Sequence, residues 1–268
     1  MNLLYALLLG ILQGATEFLP VSSSGHLALA EHFLGVTGAG LTFDVALHLG
    51  TLIAVLIYFR LDFFLMVRAL FFPQAAGPDG PVHRRLFWMI CLATIPGVIA
   101  GVLLEKQAET VFRHPLLIAA TLAGVGGFLL LAERIGGRQR KFGELKFADA
   151  IIIGLSQSLA IIPGVSRSGI TMVSGLFRGL DREAAARFSF LLSTPIILGA
   201  GVYHLPAIVQ QGEGAGQLPF FLGGFLASAI SGYVVIAWLL RYLKTRTLNI
   251  FAYYRLGLAG LVCVVFYI

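Results

Sequence analysis

Two short stretches of an otherwise apolar chain hold most of the residues able to do chemistry: "QGATEFLPVSSSGH" at 13–26 and "PGVSRSGIT" at 163–171. The first supplies reactive groups. If a helix begins near Ser22, then Ser22 and Ser23 stand four and three residues before His26 and share a face with its imidazole. A serine so placed can act as a nucleophile whose proton the histidine takes. Serines at this position also simply cap helix starts. Ser24, two residues from His26, points elsewhere and is left as a hydroxyl for substrate contact. Glu17 and Gln13 stand four apart on the preceding helix. A carboxylate and an amide oxygen so placed could hold a divalent cation, Mg²⁺ or Ca²⁺, with phosphate oxygens completing the shell. Glu17 could instead orient His26, as acids do in catalytic triads.

The second stretch suits an anion. An arginine inside an apolar protein is costly and marks function by default, and the planar fork of Arg167 matches phosphate oxygens. Ser166, Ser168 and Thr171 add hydroxyls, and Gly164 and Gly169 let backbone approach a ligand closely. A helix starting after the turn would aim free N–H groups at the same anion. Together these describe a phosphate cradle. The plain alternative is a structural ion pair between Arg167 and Glu17.

The rest of the chain must position these groups inside a membrane. Of 268 residues, 58% are hydrophobic and 12% charged, and the mean hydropathy is +0.89. That composition lies far from the soluble average and indicates several spans. The net charge of +6 does not point to nucleic acid, because the basic residues form no run or aromatic-interleaved patch and instead punctuate the apolar stretches. Cys91 and Cys263 lie inside apolar runs as packing residues. The N-terminal segment lacks the basic start of a cleaved signal peptide and is expected to stay in the mature protein.

Six segments approach the roughly 20 residues needed to cross about 30 Å of hydrocarbon: 42–59, 86–104, 115–132, 188–208, 219–240 and 249–268. Four others are too short or too polar. They form two pairs, 1–18 with 22–36 and 147–162 with 166–178, broken at Pro20 and Pro163. The pattern repeats at an offset of 144: Gly10 matches Gly154, Gln13 matches Gln157, and Ser22, Ser24 and Gly25 match Ser166, Ser168 and Gly169. Three spans follow each pair, so residues 1–132 and 147–268 read as two copies joined by a linker at 133–146. An odd number of spans per copy inverts the second relative to the first. Loops 60–85, 133–187 and 241–248 then share one side and, with Arg167 and Arg255 counted as lying within membrane segments, carry fifteen of the nineteen Lys and Arg residues, against Lys106 and Arg113 opposite. That bias places these loops, including the linker, in the cytoplasm and both termini outside. The expected architecture is an all-α polytopic membrane protein, an inverted-topology repeat with six full transmembrane helices and two re-entrant helix pairs.

The two quoted motifs resemble the signatures of the undecaprenyl pyrophosphate phosphatase family, the bacitracin-resistance proteins of bacterial membranes, and the similarity in element order covers essentially the whole chain. The resemblance implies hydrolysis of undecaprenyl pyrophosphate to the monophosphate carrier lipid and inorganic phosphate in the bacterial cytoplasmic membrane. The substrate is then a polyprenyl pyrophosphate lipid among membrane lipids, and a homodimer is compatible with it. The family's essential carboxylate falls on Glu17, its histidine on His26, its nucleophile on Ser23 and its phosphate-binding arginine on Arg167. Its supporting hydroxyls fall on Ser22, Ser166, Ser168 and Thr171. Gln13 stands where some members have glutamate, which weakens it as a metal ligand.

Three further residues have a weaker claim. Asp44 and His48, four apart, could extend the site from the first full span. Arg255 lies a few residues into the last span and is expected to snorkel to the basic side. Two other functions compete with hydrolysis. Inverted repeats with broken helices are the common plan of transporters, so a transporter or flippase for a phosphate-bearing lipid is the main alternative. An intramembrane serine protease would leave Arg167 without a role.

Overall fold

The computed structural model describes residues 2–34, 40–109, 112, 114–212 and 217–267. Positions 35 and 36 of the second short segment, Arg113 and residue 268 therefore lie outside the described residues. Eleven α-helices are described: α1 (Leu3–Glu17), α2 (Ser23–Leu34), α3 (Gly40–Tyr58), α4 (Arg60–Phe71), α5 (Gly80–Glu109), α6 (Pro115–Ile135), α7 (Phe147–Gln157), α8 (Arg167–Phe177), α9 (Arg182–Gly212), α10 (Leu218–Leu243) and α11 (Asn249–Tyr267). Among the described residues there is no strand, only one isolated bridge between Arg140 and Leu180.

Five stretches are long and apolar enough to cross a membrane: Gly80–Leu104, Pro115–Ile135, Arg182–Pro206, Leu218–Leu243 and Asn249–Phe266. A sixth is counted if Thr42–Tyr58 is joined to Arg60–Phe71, which bends away from it by 73°. By charge, residues 60–85 are expected to be loop. Instead α4 forms there, with Leu61, Phe64, Val67 and Phe71 exposed and Met66 and Ala69 buried. An amphipathic helix carrying Arg60 and Arg68 reads as loop when judged by charge and as an interfacial helix when judged by period.

The short helices stop where the sequence breaks. Asn2 caps α1, its side chain accepting from the Tyr5 N–H at 2.9 Å. The 15 residues of α1 span only roughly 22 Å at a helical rise of about 1.5 Å per residue. Pro20, which lacks an N–H and disfavours a helical residue before it, ends the segment. The freed Leu19 carbonyl accepts from the Val21 N–H at 2.8 Å and from the Ser168 hydroxyl at 2.9 Å. Backbone outside a helix thus stays satisfied by buried protein partners, as lipid surroundings demand.

Close packing positions both short helices. α1 lies against α10 and α7 lies against α5. A Cβ on Gly10 would sit 2.3 Å from the Gly224 carbonyl oxygen, and one on Gly154 would sit 2.5 Å from that of Ala93. These two glycines match at the repeat offset, and each admits a helix backbone where a side chain would exclude it. Between the halves α3 packs on α9 and α6 on α11. Phe18, Phe59 and Phe190 join the largest core cluster, with Phe18 edge-on to Phe190 at 5.3 Å.

The basic segments meet at one end of the bundle. Arg187 pairs with Asp62, and Lys244 pairs with Glu183 at 3.8 Å. Glu133 receives Arg182 at 2.7 Å, Arg138 at 2.9 Å and the Leu248 N–H at 2.8 Å. The connecting segment is equally tied: Arg140 reaches buried Asp149 at 2.6 Å, and Arg178 reaches the same carboxylate at 2.8 Å.

Candidate active site

The two broken turns meet inside the bundle and are built alike. Ser22 and Ser166, equivalent at the repeat offset, both have positive φ, 75° and 69°. Each then caps the helix that follows: the Ser22 hydroxyl accepts from the Gly25 N–H at 3.4 Å and the Ser166 hydroxyl from the Gly169 N–H at 3.1 Å. Each also lies 3.2 Å from the second serine along, Ser24 and Ser168. Positive φ on a residue other than glycine costs about 1–3 kcal/mol and persists where surroundings over-determine it. Both turns carry that strain at the same position.

Glu17 is the junction between them. Its Oε1 accepts from Arg167 Nη2 at 2.6 Å and its Oε2 from the Ser23 hydroxyl at 2.7 Å. Gln13 Nε2 donates to the same Oε2 at 2.9 Å, and His48 Nε2 lies 3.5 Å from it. The ion pair weighed above is therefore formed, and Ser23 and Arg167 sit on opposite oxygens of one carboxylate. His48 enters the site through Glu17; its Nδ1 bonds the Asp44 carbonyl at 2.7 Å.

His26 differs from the sequence expectation. No serine hydroxyl bonds its ring among the described residues. Its Nδ1 lies 2.7 Å from the Ser22 carbonyl oxygen and its Nε2 lies 2.7 Å from the Tyr254 hydroxyl. A carbonyl only accepts, so Nδ1 carries the proton; in the neutral ring Nε2 then accepts from Tyr254. The positive φ of Ser22 and the start of α2 at Ser23 aim backbone, not hydroxyl, at the imidazole. Glu17 correspondingly contacts His48 and not His26.

The other candidates divide by how their polar groups are spent. Ser24 is exposed. Ser22 is buried, with its hydroxyl used as a cap. Ser168 ties the second turn to the first through Leu19. Thr171 is fully buried and turned to α9, bonding the Ser189 hydroxyl and the Arg167 carbonyl, each at 2.7 Å. Gly164 was expected to let a ligand approach. Its φ of +88° needs glycine, but a Cβ there would lie 2.2 Å from Thr121 Oγ1, so its bare face is filled by α6. Gly169 is likewise occupied, since a Cβ there would lie 3.2 Å from the Ser166 side chain.

Arg255 also overturns an expectation. It does not snorkel; it is fully buried, with its guanidinium on backbone carbonyls of both turns and of α6. Counting residues from the helix end placed it near the surface, but α11 passes behind the broken turns at that level.

A divalent cation would draw on Gln13 and on Glu17, whose oxygens are taken by Arg167, Ser23 and the Gln13 amide. Gln13 Oε1 is buried and has no hydrogen-bond partner, and it belongs to the side chain that touches Glu17. Among the described residues no group of three His, Cys, Asp or Glu gathers around a metal position. Such a donor set would suit only a cation held mainly by phosphate oxygens, with one amide and one carboxylate from the protein.

A family model described as bacitracin resistance protein BacA matches residues 6–261. The chain belongs to that family. It is 49% identical to the undecaprenyl-diphosphatase of Desulforudis audaxviator (strain MP104C), over 99% of this chain and 98% of that one. It is 49% identical to the undecaprenyl-diphosphatase of Moorella thermoacetica (strain ATCC 39073 / JCM 9320), over 100% of this chain and 99% of the other. It is 48% identical to that of Rubrobacter xylanophilus (strain DSM 9941 / JCM 11954 / NBRC 16129 / PRD-1), over 98% and 97%. The residue that sequence reasoning missed is Tyr254. It stacks on His26 with ring planes 4° apart, and as one of eight tyrosines it carries no local signal.

Proposed function

We propose that the chain is an undecaprenyl-diphosphatase, a phosphoric anhydride hydrolase that cleaves undecaprenyl pyrophosphate to undecaprenyl phosphate and inorganic phosphate and so recycles the carrier lipid for cell-wall synthesis. One observation carries the reading: Ser23 and Arg167 bond the two oxygens of Glu17, which puts a hydroxyl, its proton acceptor and a phosphate-binding fork at one point.

The incoming diphosphate takes the Arg167 guanidinium from Glu17, because phosphate oxygens compete for the same fork. The freed carboxylate then accepts the Ser23 proton as Oγ attacks the terminal phosphorus. The anhydride P–O bond breaks and undecaprenyl phosphate leaves with the electron pair. As Tyr254 turns aside from His26 Nε2, water attacks the phosphoserine and passes a proton to that nitrogen. Ser23 departs with the proton held by Glu17, and His26 gives up its proton to the departing phosphate. Arg167 stabilises charge on the transferring group throughout, the main task in phosphoryl transfer. Gln13, and Glu17 while it is ionised, would hold a cation that neutralises further phosphate charge. The hydroxyl of Ser22 is spent as a cap, which favours Ser23 as nucleophile.

The architecture belongs to the same proposal. Residues 1–132 and 147–268 are inverted copies joined by 133–146, each opening with a re-entrant pair, α1–α2 and α7–α8. The matching serines, caps and close-packed glycines support it, as does the shortness of α1 and α7. In the bacterial cytoplasmic membrane the basic end faces the cytoplasm and the termini lie outside.

Purified protein in detergent tests the reaction, since no membrane is left to cross. Phosphate should be released from undecaprenyl pyrophosphate, and Arg167→Ala should abolish release; near-normal turnover by that variant would refute the assignment. A protein that binds the lipid yet releases no phosphate would be the transporter instead.

A further inference from the structure

Arg255 is the largest fully buried side chain among the described residues. No carboxylate there lies within ion-pair distance of it. Its N–H groups go to carbonyl oxygens instead: Nε to Leu122 at 3.1 Å, and Nη2 to Thr121 at 3.2 Å, Gly164 at 2.7 Å and Val165 at 3.1 Å. Nη1 donates to Pro20 at 3.2 Å. A buried charge without a counter-charge is costly, so a fold that keeps one gains something elsewhere.

What it gains is visible in the register. Pro20 and Gly164 are equivalent at the offset of 144, each two residues ahead of a serine with positive φ. The two ends of one guanidinium therefore hold the same backbone position in both turns. Ser22 and Ser166 persist in a strained conformation only while their surroundings fix them. Arg255 fixes both at once and anchors them on α6 through Thr121 and Leu122. Ser23 follows the first strained serine and Arg167 the second, so the grip on the turns sets where these two side chains stand.

We infer that Arg255 is a positioning residue for the reaction: its guanidinium clamps the equivalent carbonyls of the two turns and thereby sets the separation of Ser23 and Arg167. This rests on the phosphatase reading. A lysine keeps the charge but is a compact point donor without the planar fork, and cannot span two turns in the same way.

The test compares wild type, Arg255→Lys and Arg255→Met as purified, monodisperse protein, with melting temperature, kcat and KM on undecaprenyl pyrophosphate for each. Misplacing reacting groups by about 1 Å can cost roughly a hundredfold. Folded Lys and Met variants should therefore both lose about a hundredfold in kcat, with KM within about threefold of wild type. Wild-type kcat in the Lys variant would show that charge alone matters and would overturn the clamp. So would failure of both variants to fold, which assigns Arg255 a structural role only. An inactive wild type would instead bring down the phosphatase reading, and the clamp's part in turnover with it.

Discussion

Arg167 and Glu17, 150 residues apart in sequence, share a hydrogen bond of 2.6 Å between two largely enclosed side chains. Each is the other's counter-charge before substrate arrives. Removing one partner of a buried pair costs about 3–5 kcal/mol, because the remaining charge is left unpaired. Glu17→Gln should therefore lower the melting temperature as well as end phosphate release. Combining it with Arg167→Met should restore much of the stability and none of the activity. A double-mutant cycle by thermal unfolding in detergent measures the coupling; additive losses would show that the pair contributes nothing.

Ser23 donates to Glu17, while Ser22 spends its hydroxyl on a helix cap. Ser23→Ala should reduce phosphate release by about a thousandfold or more, as loss of a nucleophile does. Ser22→Ala should cost about 1 kcal/mol of stability from the lost cap. Rapid-quench labelling with terminally labelled substrate should trap phosphate on the wild-type chain. Equal labelling of Ser23→Ala would move the nucleophile elsewhere.

Tyr254 donates to His26 Nε2 at 2.7 Å and stacks on its ring. Tyr254→Phe keeps the stack and removes the donor, a loss of about 1 kcal/mol for one neutral hydrogen bond. Turnover should fall roughly fivefold, with KM little changed. Unaltered kcat would mean that the tyrosine only fills space.

Ser166 carries both strain and a cap, and two substitutions separate them. Glycine accepts a φ of 69° freely and caps nearly as well, whereas alanine keeps the strain and loses the cap. Ser166→Gly should melt no lower than wild type, and Ser166→Ala should lose about 1 kcal/mol. The reverse order would show that the turn is not strained.

Glu17 and Gln13 set the expectation for cations. Treatment with a chelator should depress turnover, and added Mg²⁺ or Ca²⁺ should restore it. Gln13→Ala should raise the cation concentration needed for half-restoration, about tenfold for one lost ligand near 1.4 kcal/mol. Full activity in excess chelator would remove the cation from the reaction.

The spans were legible because length and hydropathy decide them, and the breaks because Pro20 and Pro163 cannot continue a helix. Gly10 and Gly154, matched at an offset of 144 in sequence, each admit a neighbouring helix backbone at close range in space. Pairings beyond one helical turn were harder to read. The i, i+4 rule put a serine hydroxyl beside His26, but the positive φ at Ser22 rotated that residue, and no composition rule foretells such a rotation. Arg255 was misplaced because distance from a helix end says nothing of what packs around the helix. Tyr254 acquires meaning only from its neighbour 228 positions away.

The joined basic end has one last implication. Asp62 with Arg187 ties the first half to the second, and Glu133, at the end of α6, ties that helix to the second half through Arg182 and the backbone of Leu248. Rocking one half against the other, as alternating access requires, would have to part these ties in every cycle. A molecule fastened in this way is suited to meeting its lipid at one leaflet and returning it there, with the bundle keeping its shape from one turnover to the next.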